Sequence, residues 1–112
     1  MIVYRVDLHT ESQRIENRGY PSDIETVVKI EDTIVPVLGW YGDDVSVYAV
    51  NIEGLKTVEY HQIPYQMANG DKYDHRFLHV IRIMEPVTPD RITKVGEWVY
   101  NRQTENFDYE EI

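Results

Sequence analysis

The chain has 112 residues, 42% apolar and 28% charged, which is the length and composition of one globular domain able to bury a single core. Acids outnumber bases 20 to 11, leaving a net charge of −9 spread over both halves, and no two basic residues are adjacent; this excludes a surface that binds nucleic acid by counterion release. Cysteine is absent, so disulfides, thiol nucleophiles and thiolate metal sites are excluded, and no apolar run nears the roughly 20 residues of a membrane span.

Met1 to Arg5 lacks the basic start and apolar run of a secretory signal, so the cytoplasm is the expected compartment. Ile2 to Asp7 instead reads as a first strand, with Ile2, Tyr4 and Val6 on one face and Val3 and Arg5 on the other. A short helix over Glu11 to Arg18, closed by Gly19, competes with a solvated turn or hairpin arm, because Ile15 is its single apolar residue. Tyr20 to Asp23 is a turn. Ile24 to Ile30 and Thr33 to Leu38 are expected to form a hairpin around Glu31-Asp32. Gly39 to Asp44 is a loop, and Val45 to Ile52 is a strand.

Asn51 to Gly54 turns the chain into a further strand over Leu55 to Ile63, ended by Pro64. Asn69-Gly70, inside the turn Met67 to Asp71, is a strong hairpin signal. It leads to Tyr73 to Met84, which carries apolar residues on both faces and so reads as a central strand covered on both sides. Pro89 opens an expected short helix over residues 89–95, from the spacing of Ile92, Val95 and Val99, before an extended end. The competing reading makes Glu97 to Tyr100 and Phe107 to Tyr109 two strands around Asn101 to Asn106. The expected fold is α+β: a single domain, residues 1–112, dominated by an antiparallel β-sheet with one or two short helices.

No Gly-x-Ser-x-Gly, Gly-rich phosphate loop or His-Glu-x-x-His is present, so no cofactor is expected. His61, His75 and His79 are weak metal candidates: residues 75 and 79 share a strand face, and His61 falls across the expected hairpin. Ordinary paired or half-buried histidines are the favoured explanation. Asp74-His75 and Glu59-Tyr60-His61 are acid–base candidates, although sequence neighbours on a strand face opposite ways.

Tyrosine carries more information. Nine Tyr stand beside only two Phe, and Tyr offers rigid contact area with a polar tip, as recognition surfaces require. Trp40, Tyr41, Asp43 and Asp44 on the glycine-flanked loop are candidate partner contacts. So are Tyr60, Tyr65 and Tyr73 around the hairpin, and Asp108, Glu110 and Glu111 at the end. Together they describe an acidic aromatic surface for a basic protein. In the second reading Arg76, Arg82 and Arg102 hold the phosphates of a nucleotide-like small molecule. A histidine-dependent hydrolase ranks third. Strand edges also leave room for a homo-oligomer.

Gly54 to Pro64, then Asn69-Gly70, then Tyr73 to Met84 with Leu78-His79-Val80, is similar to the C-terminal half of some immunity-protein families of bacterial polymorphic toxin systems. Those families pair an aromatic-x-x-x-Pro strand with a turn and a strand of the Tyr…His-Val/Ile type. The resemblance spans about 30 residues and implies a cytoplasmic acidic inhibitor that masks a toxin. It carries no catalytic residue.

Overall fold

The computed structural model describes residues 1–37, 44–62 and 78–112, with the side chains of residues 35, 36 and 62 left aside. Seven strands form one antiparallel sheet: β1 (Ile2–Leu8), β2 (Ile24–Val27), β3 (Val45–Asn51), β4 (Thr57–Gln62), β5 (Leu78–Ile83), β6 (Ile92–Asn101) and β7 (Asn106–Glu111). Their spatial order is β4-β5-β2-β1-β3-β6-β7. The α+β expectation holds. Two short helices, α1 (Ser12–Arg18) and α2 (Ile34–Val37), accompany the sheet.

Strand β1 lies in the middle and buries residues on both of its faces. Val3 joins Ile15, Tyr20, Tyr48, Val50, Ile81 and Ile83 in one cluster, while Val6 joins Ile34, Val37, Val45, Val47, Leu78 and Val80 in the other. Residues of opposite parity point to opposite faces, so the two clusters are two cores separated by the sheet. Helix α1 covers the first core and α2 the second.

The competition at residues 11–18 resolves as helix. Ile15 is fully buried, and the Gly19 amide donates to the Ile15 carbonyl at 2.8 Å to close the last turn. One buried isoleucine suffices because the next residues anchor as well. Tyr20 exchanges both backbone hydrogen bonds with Val87, each at 2.9 Å.

Two expectations fail. Thr33 to Leu38 does not pair with Ile24 to Ile30: the chain enters a 3-10 turn at Ile30–Thr33 and continues as α2. Strand β2 already has β1 and β5 as neighbours, leaving no edge for a hairpin partner. Ile34 and Val37, three apart, fall on one helical face and enter the second core.

The helix expected over residues 89–95 is only a 3-10 turn, Pro89–Arg91, and Ile92 begins β6. The alternative of two strands around Asn101 to Asn106 is the observed one. A bulge causes the misleading spacing: Val47 pairs with Gly96 but Tyr48 pairs with Lys94, so Val95 is an extra residue. Asn101 Oδ1 accepts from the Gln103 and Thr104 amides at 2.9 and 3.3 Å to start the turn into β7.

The described part of Tyr73 to Met84, β5, is interior and buries residues on both faces, yet it lies one place from an edge, with β1 at the centre. The turns expected at Gly39 to Asp43 and Met67 to Asp71 lie outside the described residues.

Gly19 has φ 72° and ψ −155°, a region essentially reserved for glycine, and a Cβ there would sit 1.9 Å from the Val87 carbonyl oxygen. Gly19→Ala is therefore expected to lose roughly 2–4 kcal/mol through backbone strain and overpacking. Thermal unfolding measures it. An unchanged melting temperature would mean that the Tyr20–Val87 bridge is not a structural anchor.

Candidate functional site

The end of the sheet at β6 and β7 separates two chemistries on its two sides. On the side of the second core, Trp98 and Tyr109 are cross-strand partners with ring centroids 5.1 Å apart, and Tyr100 and Phe107 repeat the arrangement at 5.3 Å. Trp98 Nε1 donates to Thr33 Oγ1 at 2.8 Å, which ties this aromatic ladder to the segment before α2. Gly96 is the floor of the ladder: a Cβ there would lie 2.3 Å from the Tyr109 hydroxyl.

The opposite side is acidic. Glu97 stands directly across from Glu110, and Val99 across from Asp108. Like charges facing each other across an antiparallel pair are destabilising. Lys94 Nζ donates to Glu97 at 2.6 Å, and His9 lies 3.7 Å away. The lysine hydrogen bond holds the Glu97 carboxyl below its usual range, ahead of an opposing desolvation effect. Asp108 accepts one hydrogen bond from Asn101 at 3.2 Å. Among the described residues no cation pairs with Asp108, Glu110 or Glu111.

Several other cations are engaged. Arg82 is gripped by Asp23 at 2.7 Å and Glu25 at 2.6 Å, and Asp23 hydrogen bonding, then Tyr60 and Glu25, pushes its pKa further up. Arg14 holds Glu11 at 2.7 Å, and Arg91 donates to the Asn51 and Glu53 carbonyls. Arg102 sits in the β6–β7 turn, at the other end of the sheet from Arg82. The structure does not bring these two arginines together, and Arg76 lies outside the described residues.

The expected contact surface is also divided. Tyr60 is on the edge strand β4, packed on the second core, and burial raises its pKa. Asp108, Glu110 and Glu111 are on the opposite edge, about 30 Å away at the usual ~4.8 Å per strand. Asp44 is exposed before β3, and its carbonyl accepts from the His9 amide at 3.1 Å. Trp40, Tyr41, Asp43, Tyr65, Tyr73 and His75 lie outside the described residues. Sequence reading put His61 across the expected hairpin from the face of His75 and His79, and the register pairs it with His79. Glu59, however, contacts His79 and not the neighbouring His61. Among the described residues no group of three or more His, Asp or Glu side chains is arranged to hold a metal.

Sequence reading missed a buried polar cluster beneath α1. Asp7 accepts from the Tyr20 hydroxyl at 2.6 Å and lies 3.5 Å from Arg5 Nε, whose guanidinium rides over the Tyr20 ring at 5.3 Å. Tyr48, across from Arg5, is fully buried with an unpartnered hydroxyl. Desolvation raises the Asp7 pKa, opposed by Arg5 and the Tyr20 hydrogen bond; burial, then Asp7, raises that of Tyr20. The available signal was Arg5 and Asp7 two apart on an otherwise apolar strand face. Ser46, buried directly across from Asp7, has its hydroxyl 3.4 Å from both His9 Nδ1 and Ser12 Oγ, and together these contacts tie α1 to the sheet.

Among the described residues no helix is long and apolar enough to cross a membrane. Comparison with known protein families, curated proteins and solved structures gives no match.

A carboxyl whose folded pKa is raised contributes stability present below its unfolded pKa and lost as pH rises through the folded value. Asp7→Asn keeps an acceptor for Tyr20 without the buried charge. It is expected to melt a few degrees higher than the parent at pH 7, with the gap closing below about pH 4. A lower melting temperature at pH 7 would show that the Arg5 attraction outweighs burial.

Proposed function

We propose that the chain is a non-enzymatic acidic binding protein that masks a basic protein partner, in the manner of an immunity protein, an antitoxin or a phage-encoded inhibitor. The observation that supports this reading is the β7 edge, where Asp108, Glu110 and Glu111 have no cationic partner among the described residues and Glu110 faces Glu97. A fold that keeps like charges opposed at its rim gives up local stability, and a cationic partner would return it. The aromatic ladder on the other side, which Glu111 shares, makes the hairpin a stiff platform for Asp108 and Glu110.

The nucleotide-binding reading has less support, because Arg82 is occupied by two carboxylates and Arg102 lies at the far end of the sheet. A protein partner also fits the resemblance of residues 54–84 to immunity proteins, and a bacterial cytoplasm, or that of a phage host, is the corresponding compartment.

Native mass spectrometry of the tagged chain from its own host should show a stoichiometric complex with a basic protein. Association should slow steeply with salt, and Asp108→Asn, Glu110→Gln and Glu111→Gln combined should cut the association rate roughly tenfold or more at low salt. A rate indifferent to salt and to the three substitutions would reject the acidic edge as the docking surface. A small adduct of nucleotide mass on an otherwise lone chain would favour ligand sequestration.

A further inference from the structure

On the reading of the chain as a masking protein, we propose that its partner docks by strand addition: an extended segment with Lys or Arg at every second position pairs antiparallel with β7 and continues the sheet. Strand β7 is an edge, with β6 as its one neighbour among the described residues. An unpaired edge offers a row of amides and carbonyls to another chain. In this recognition mode backbone bonds hold the added strand and alternate side chains select it.

The ladder fixes which groups are offered. The Ile112 amide donates to the Val95 carbonyl at 3.2 Å. Hydrogen-bonded and non-hydrogen-bonded pairs alternate along an antiparallel ladder, so in the observed register Glu110–Glu97 and Asp108–Val99 are hydrogen-bonded pairs as well. The amides and carbonyls of Phe107, Tyr109 and Glu111 therefore point away from β6, toward the free edge.

Side chains sort by the same parity. Phe107 and Tyr109 pack against the second core, while exposed Asp108 and Glu110 stand on the other side. An antiparallel newcomer bonds to Phe107, Tyr109 and Glu111, so its residues opposite Asp108 and Glu110 form non-hydrogen-bonded pairs. Those pairs bring side chains closest, at about 4.5 Å between Cα atoms. A cation at each such position meets a carboxylate that has no cationic partner among the described residues. A β-branched residue between the cations lies beside Phe107 or Tyr109, a favoured cross-strand pair.

The same geometry turns away a second copy of this chain. Antiparallel pairing of β7 with itself sets Asp108 opposite Glu110, Asp108 opposite Asp108 or Glu110 opposite Glu110, according to register. Each is a like-charge contact in the closest pairs, and like charges directly opposite are destabilising. The edge is closed to itself and open to a basic strand.

The test uses the full chain and two synthetic peptides as long as β7, one alternating Lys with Thr and one of the same composition with its lysines in a block. Hydrogen exchange of the free chain, followed by nuclear magnetic resonance, should show fast amides at Phe107, Tyr109 and Glu111 and slow ones at Asp108 and Glu110. The alternating peptide should slow the first three, and should bind roughly tenfold more tightly than the block peptide. Glu111→Pro removes an outward amide and no β6 bond, so it should fold like Glu111→Gln and weaken the alternating peptide about fivefold more. If Glu111→Pro is itself destabilised, protection in the parent decides. Equal binding of the two peptides, no binding of the alternating one, or no added protection at Phe107 and Tyr109 overturns strand addition. Native mass spectrometry judges the masking reading separately, so the two can fail independently.

Discussion

Burial of β1 on both faces is the constraint on which the rest of the structure depends. Its seven residues send Val3 to one core and Val6 to the other, so every later element must cover one face or extend the sheet sideways. The chain does so in turn. Helix α1 covers the first face before β2 pairs on one flank, and α2 covers the second face before β3 pairs on the other. Once both flanks are taken, β4–β5 and β6–β7 can add only at the outside, as hairpin-like pairs at opposite ends.

This order of construction also sorts the charge. Inside the outer strands, ionisable groups are held in short contacts: Asp7 by Tyr20, Arg82 by Asp23 and Glu25, Glu97 by Lys94. The last strand lies beyond these pairs, and its carboxylates Asp108, Glu110 and Glu111 have no cationic partner among the described residues. The net charge of −9 is evenly divided along the sequence, and among the described residues three of the acids without a cationic partner share this one edge strand. Composition alone indicates an acidic protein; topology gives the acidity a place.

Local pattern revealed the strands wherever alternation was strong, at Ile2 to Asp7, Val45 to Ile52 and Leu55 to Ile63, and it put His61 on the strand across from the one that carries His79. It misled at Thr33 to Leu38, where a short apolar run suits strand and helix equally, and the choice fell to neighbours far away in sequence. The lateral order of the strands was not legible at all. Nothing local announces that Arg82 will meet Asp23 and Glu25, or that Trp98 will donate to Thr33. For the same reason the expected contact residues were read as one surface, when Tyr60 and Glu110 belong to opposite margins.

The extra residue at Val95 has a reach well beyond its own turn. Counted by strict alternation from Ile92, Trp98 and Tyr100 would stand on the α1 side, and Glu97 on the side of α2. The bulge shifts the count by one, and the outer half of β6 together with all of β7 exchanges sides. Which side of the rim is acidic and which is aromatic is thus decided by parity. A single backbone irregularity, more than any side chain at the rim, gives the molecule its front and its back.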